Sequence, residues 1–369
     1  MLYKNLQHPV PVPGKKCMEK LFVEAQVDIT DRMHNTIGGK MPILTNKYLK
    51  YDPQLPSVLY HYCSVDTLIS IIRNYSIWMS DAEKTNDRTE MKWLFARIQE
   101  VISETILSCK EEYPCELLQK TEKIAYETIE RLMSKKAPIT RNSKSFLLCF
   151  SEASDLLSQW RGYGNDGKGV AIGFNTDILQ NFALTKVIYD REDTSKFLHK
   201  IIDERLRWVI ESNVDKEKNE DNELQLCMDI TTLMISIWQE NFVYKNDKFS
   251  EEKEWRIFRR LQSNNYCVSD GIDTYGYADY LDGFFNENNN YLGAFTRSSL
   301  KFRSVGDDLR IYFEVGFEKR KKEIIKEIII GPKCKLEEFD LKLLLAQDEY
   351  IDEVFSDAIK IKKSECPYI

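Results

Sequence analysis

Residues 144–151 read Lys-Ser-Phe-Leu-Leu-Cys-Phe-Ser, an apolar run of strand length between polar ends. It does not alternate, so neither side is left for water, and it reads as a strand buried on both faces. Further strands are predicted at Val58–Tyr62 and in "SIWMS", "GKGVAIGF", "LTKVIYD", "EKEWRIFRR", "LGAFTR", "LRIYFEVGF" and "IKEIIIGP". Between them lie stretches of helical period. Met91, Leu94, Phe95, Ile98, Val101, Ile102 and Ile106 place a long amphipathic helix over residues 89–108. Pro114 breaks it, and a second helix runs to about residue 134. From 193 to about 245 two more amphipathic stretches are split by the polar "NVDKEKNEDNE". A short helix is expected after Ser64, a good N-cap, and a capped helical turn in "DLLSQWRGYG". Thr176 or Asp177 is expected to cap another short helix, and a last one is expected at about 335–347. Strands and helices interleave without regular βαβ spacing. The fold class is therefore α+β, a mixed sheet core with long helices and a helical insertion at about 193–245. Residues 1–56, punctuated by proline and glycine, read as an N-terminal extension, and 57–369 as a single domain.

Composition narrows the partners. The chain is 43% hydrophobic and 30% charged with a net charge of −7, as expected of a soluble globular protein. That charge argues against broad, sequence-blind DNA binding, which needs a basic surface. Nine cysteines without a CxxC pair fit reduced thiols in a cytoplasm better than a disulfide framework. Four histidines, none beside a cysteine pair, leave no structural zinc site expected. No 18-residue apolar run and no signal-peptide pattern occur, so a cytoplasmic protein without a membrane partner is expected.

Four polar patches can carry chemistry. "YHY" (60–62) puts His61 on a strand, where a histidine is either a hydrogen-bonded structural group or a catalytic one. "SDAEKTNDRTE" offers Asp81, Glu83, Asp87 and Glu90 as oxygen ligands, but it lacks the glycine and spacing of a calcium loop. Asn86-Asp87 reads instead as a turn capping the long helix. In "CFSEASDLLSQWRGYGNDGKGVAIGF", Ser151 ends a hydrophobic strand, and Trp160, Arg161 and Tyr163 follow in one turn. These rings are either a stacking wall for a planar ligand or core packing. The glycines there do not spell a dinucleotide-binding fingerprint. The fourth patch is "FSEEKEWRI" (249–257). In strand geometry Glu252, Glu254 and Arg256 share one face, and Lys253, Trp255 and Ile257 the other.

Taken in order, "LYHYCSVDTLISIIRNYSIWMSDAEKTNDRTE", "CFSEASDLLSQWRGYGNDGKGVAIGF", "FSEEKEWRI", "KEIIIGP" and "KSECPYI" resemble a bacterial family, the domain of unknown function 2971. The motifs are spread over roughly residues 57–369, and members of that family often sit in mobile or phage-defence loci. A fainter resemblance is to ADP-ribosyltransferases, which carry a His or Arg on the first strand, a Ser or Tyr patch on a middle strand and a Glu on a late strand. His61, Ser151 and Glu254 follow that order, with Glu252 two residues before Glu254. The middle patch departs from the pattern, being Phe-Ser-Glu rather than Ser-Thr-Ser.

The second resemblance implies NAD as substrate, with no metal. Glu254 would hold the oxocarbenium-like charge and Glu252 would orient or deprotonate the acceptor. His61 would bind a ribose hydroxyl, Ser151 would support the floor, and Trp160 or Tyr163 would stack on nicotinamide, with Arg256 beside them. The expected function is a cytoplasmic effector that transfers ADP-ribose to a protein or nucleic-acid acceptor, or hydrolyses NAD, in stress or anti-phage defence. The alternatives are a non-enzymatic ligand sensor or adaptor, and a metal-dependent nuclease.

Overall fold

The computed structural model describes residues 54–84, 90–134, 136, 143–179, 184–189, 192–215, 220–239, 241–263, 277–279, 296–297 and 301–368. They divide into a helical unit, drawn from 89–143 and 190–244, and a sheet unit drawn from 45–88, 144–189 and 245–369. Along the chain, β1 (Val58–Cys63), α1 (Val65–Asn74) and β2 (Ser76–Asp81) come first, and α2 (Glu90–Ser108) and α3 (Cys115–Met133) follow. Next are β3 (Ser143–Ser151), α4 (Leu157–Gly162), β4 (Val170–Asn175) and β5 (Leu184–Lys186), then α5 (Glu192–Val214) and α6 (Glu220–Gln239). The remainder is β6 (Glu254–Ser263), β7 (Tyr277–Asp279), β8 (Thr296–Arg297), β9 (Lys301–Val305), β10 (Asp308–Gly316), β11 (Ile325–Ile330), α7 (Glu338–Gln347) and β12 (Lys360–Lys363). The expected α+β class, with a mixed sheet, long helices and a helical insertion, is the observed one.

In the helical unit, α2, α3, α5 and α6 pack together. The apolar stripe read along α2 is buried from Leu94 to Ile106, and α3 buries Leu118, Ile124, Ile129 and Leu132. Lys120 of α3 pairs with Glu223 of α6 at 2.6 Å. The predicted insertion thus supplies two helices of a unit to which α2 and α3 contribute the others. Among the described residues no helix is long and apolar enough to cross a membrane. The expected turn cap at Asn86-Asp87 and the loop "NENNN" lie outside the described residues.

The sheet runs β8-β10-β2-β3-β1-β4-β11-β12, with β9 added on β10, and β6 joining β3, β5 and β7. The β11–β12 pair is parallel and its neighbour β4–β11 antiparallel, so the sheet is mixed. β3 is buried along Phe146–Leu148 and at Phe150 and Ser151, as its unbroken apolar run demands. The main core collects Leu59, Leu68, Ile72, Phe146, Phe150, Phe174, Trp255 and Ile257 with α7 residues Leu341 and Leu345. Burial of side chains of this size is worth about 1.5–3 kcal/mol each.

Local signals set several ends. Ser64 caps α1 by accepting from the Thr67 amide, as predicted, and Tyr75 closes it in the left-handed region at φ 49°. Two expected caps are corrected. The turn after β4 is capped by Asn175, whose side chain accepts from the Asp177 amide, because Thr176 is already inside the helix and donates to the Pro56 carbonyl. α4 has Leu156 at its N-cap and no side-chain bond there, because Asp155 is used elsewhere. Its carboxylate accepts from Trp160 Nε1 (2.6 Å), Ser364 Oγ (2.6 Å) and the amides of Glu365 (2.7 Å) and Cys366 (3.1 Å). The closing segment therefore clips onto the loop that carries α4. Gly169 lets three backbones meet there: a Cβ on it would lie 2.0 Å from the Cys63 carbonyl oxygen.

Candidate functional site

The site begins where two strands part. β1 and β3 are matched at one position, Tyr60 opposite Ser151. Beyond it the ring of His61 replaces a backbone partner, Nδ1 lying 3.1 Å from the Cys149 carbonyl. A carbonyl oxygen only accepts, so Nδ1 carries the proton and Nε2 keeps its lone pair. Burial holds the His61 pKa below its ordinary value, so the ring is neutral.

A pocket of about 170 Å³ opens at this gap. His61, Ser151, Tyr163, Glu252 and Glu254 all line it, with Trp78 and Gln159 among the other walls. Five of the seven residues that the NAD resemblance implies for the site are thus brought together. The other two serve from outside. Arg256 is buried behind Glu254, and Trp160 is fully buried in a small second core with Tyr62, Ala171 and Ile329. Trp160 is not a stacking wall: its indole packs edge-on to Tyr62 at 4.8 Å and its N–H is spent on Asp155. Tyr163, 42% exposed, is the ring left available.

The two glutamates meet in a way strand alternation did not describe. Glu252 is the last residue of a 3-10 helix, Asp247–Glu252, and Lys253 turns the chain in the left-handed region at φ 44° before β6 starts at Glu254. The expected shared strand face of Glu252, Glu254 and Arg256 is therefore corrected: only Glu254 and Arg256 share it. Three contacts hold this turn. Ser151 Oγ donates to the Glu252 carbonyl (2.6 Å), the Glu152 amide to the Lys253 carbonyl (3.2 Å), and the Glu254 amide to Tyr189 Oη (2.8 Å). Ser151 also accepts from the Ala153 amide, so its hydroxyl builds the floor. On the far side of β6, Trp255 and Ile257 enter the main core, as predicted.

Lys245 joins the carboxylates, with Nζ 2.7 Å from Glu252 Oε2 and 2.9 Å from Glu254 Oε2. Arg256 grips Glu254 in a fork, Nε to Oε1 at 2.7 Å and Nη2 to Oε2 at 3.0 Å. Burial pushes the Glu254 pKa up, but Arg256 and Lys245 outweigh it and hold the carboxyl at about 2. Both its oxygens are engaged. Glu252 differs, because burial dominates and raises its pKa, and Oε1 is not bonded by any described residue. Cys149 stays a thiol, raised first by burial and then by the Glu254 charge. Two cations balance two carboxylates, which is what lets four charges sit in a buried corner.

Lys245 and Cys149 were not singled out by the sequence reading. Lys245 stands nine positions before Glu254 among aromatic residues, and only the folded turn shows whom it faces. The acidic stretch at 81–90 holds Asp81 and Glu83 on Lys144, each at 3.0 Å, and Asp87 lies outside the described residues. Among the described residues no group of three or more His, Cys, Asp or Glu is placed to hold a metal ion.

Residues 159–257 match the model of a family described as protein of unknown function, DUF2971. The DUF2971-like stretch runs from α4 to the start of β6, so it carries Tyr163, Lys245, Glu252, Glu254 and Arg256 while His61 and Ser151 precede it. It is shorter than the 57–369 span over which the motifs were read. No curated protein and no solved structure matches the chain.

Proposed function

We propose that the pocket takes the nicotinamide–ribose end of NAD and that the protein breaks the bond between nicotinamide N1 and ribose C1′. The ADP-ribosyl group passes to water or to a hydroxyl of a protein or nucleic-acid acceptor. One observation carries this reading: His61, Ser151, Tyr163, Glu252 and Glu254, from separate stretches of chain, line a single pocket. When the bond breaks, its electron pair leaves on nicotinamide and positive charge gathers on C1′ and the ring oxygen. The incoming oxygen bonds C1′ and its proton goes to Glu252, the carboxylate whose Oε1 no described residue bonds and whose pKa is raised. His61 Nε2, a bare acceptor, receives a ribose hydroxyl. Tyr163 covers the nicotinamide ring. Glu254, with both oxygens engaged, contributes fixed negative charge and holds Lys245 and Arg256 in place. That arrangement favours Glu252 over Glu254 for the proton-accepting role. In a bacterial defence setting, loss of NAD would be the effector output.

The test is release of nicotinamide from NAD, followed chromatographically, with water alone and with protein and RNA acceptors. Glu252→Gln is expected to lose at least a hundredfold in turnover while keeping its circular dichroism spectrum. Equal turnover in wild type and variant, or none by wild type under every acceptor, sinks the proposal.

A binding-only reading draws on the neutral balance of the Lys245–Glu252–Glu254–Arg256 corner, which is compatible with a receptor that senses a ligand without altering it. A ligand-dependent rise in melting temperature, with the ligand recovered intact, would favour that reading.

A further inference from the structure

The face that floors the pocket does not stop at its rim. Ser80 of β2 stands opposite Leu147 of β3, and Trp78 and Ser80 are opposite Glu314 and Tyr312 of β10. Tyr312 and Arg310 in turn oppose Lys301 and Arg303 of β9. Paired residues point to one side, so side chains 78, 80, 301, 303, 310, 312 and 314 extend the pocket's own face outward.

On that face the charges are unequally satisfied. Lys301 pairs with Glu314, and Arg310 pairs with Asp308 at 2.8 Å and donates to the Lys84 carbonyl. Arg303 has no hydrogen bond or ion pair among the described residues, and it lies directly across from Arg310. Like charges at such a pair destabilise a sheet, so the cross-strand pairing itself does not favour an arginine here. The guanidinium of Arg303 is instead laid over the ring of Trp78, 4.9 Å from its centroid, and Tyr312 packs against the same indole at 4.3 Å. Contact with the ring face restrains the guanidinium without using its N–H donors. Trp78 is itself a wall of the pocket. An exposed guanidinium resting on a pocket wall, with no ion pair among the described residues, suits a group with two anionic oxygens.

We propose that Arg303, held on Trp78, is an anion subsite that takes a phosphate of the ligand whose sugar end enters the pocket. The part about the sugar end rests on the NAD reading above; the anion subsite does not. Calorimetric titrations of inorganic pyrophosphate, NAD and nicotinamide riboside, which lacks phosphate, separate the two. In wild type, pyrophosphate and NAD are expected to bind, with nicotinamide riboside at least tenfold weaker than NAD. Arg303→Gln is expected to weaken pyrophosphate and NAD about tenfold and leave nicotinamide riboside unchanged. Arg303→Lys keeps the charge and loses the fork, so it should recover only part of the affinity. If pyrophosphate binding depends on Arg303 but NAD does not bind, the subsite stands and the NAD reading falls. If Arg303→Gln binds pyrophosphate and NAD as wild type does, or wild type binds neither, the subsite is overturned.

Discussion

Arg256 holds Glu254 by two parallel hydrogen bonds, of 2.7 and 3.0 Å, although the two are next-but-one neighbours on a single strand. Both are buried, and Lys245 closes the opposite side of the carboxylate at 2.9 Å. The strand can place a carboxylate in the pocket wall only because its charge is answered from two directions. Removing one member leaves the buried charges of the others without their partners. Glu254→Gln and Lys245→Met should each cost about 3–5 kcal/mol in urea unfolding. Glu251→Gln, at an exposed neighbour, should stay within about 0.5 kcal/mol. Losses below about 1 kcal/mol for both buried variants would show that the corner is not an interlocked set.

The same corner sets how the fold responds to acid. Glu254 is held at about 2 against an ordinary 4.5, so it stabilises the fold fully above about pH 4.5. That stability is lost as pH falls from about 4.5 toward 2, and a difference of this size corresponds to about 3 kcal/mol. His61, depressed from 6.5 by burial, adds stability above about pH 6.5 that fades as the pH falls below it. Glu252 works the other way, because a raised carboxyl gains stability as it is protonated. Unfolding free energies measured from pH 7 to 3 should fall, and the limb below pH 4.5 should flatten in Glu254→Gln. An unchanged limb in that variant would contradict the assignment.

Trp160 and Tyr163 divide between them the packing and the ligand-facing task of one aromatic turn. Trp160→Ala empties a fully buried site and should cost about 3–5 kcal/mol. Tyr163→Ala should cost less than about 1 kcal/mol in stability and weaken the pocket's ligand about tenfold. Thermal melts and ligand titrations of the two variants check this, and the reverse pattern would exchange their roles.

Asp155 is the acceptor for one indole, one hydroxyl and two amides. Asp155→Ala leaves those donors without it and should cost about 2–4 kcal/mol. Hydrogen exchange at the amides of Glu365 and Cys366 should speed up in the variant, since both lose their carboxylate acceptor. Unchanged protection there would show that the closing segment is held by Tyr368 and its bond to Asp166 instead.

The readings that held were those made from local physics. The burial of β3, the stripe on α2 and the Ser64 cap follow from spacing and from short-range bonds that a few neighbouring residues decide, whereas α2 ends at Ser108 and Pro114 is the N-cap of α3. The readings that moved were those that turned on one residue's neighbours in space. Thr176 was a sound cap by type, but Asn175 reaches the amide first. Glu252 left the strand because Lys253 adopts a left-handed turn, a conformation no glycine or asparagine announced. The carboxylates still met, because Lys245 and Ser151 fix that turn from elsewhere in the chain.

By itself, then, the sequence determined most of the strands and helices, though not the strands at Tyr277–Asp279, Lys301–Val305 and Lys360–Lys363, and that Trp255 and Ile257 face inward while Glu254 and Arg256 face the other way. Period and polarity are properties of a segment, and a segment carries them wherever it lies. Only the tertiary structure decided that Lys245 sits between two glutamates, that Glu254 has both oxygens engaged while Glu252 has one that no described residue bonds, and that Arg303 rests on a wall of the pocket without an ion pair among the described residues. Those are relations that no segment's period or polarity carries, set by how the turn at Lys253 folds, by where β1 and β3 part and by which charges the surrounding sheet leaves unanswered.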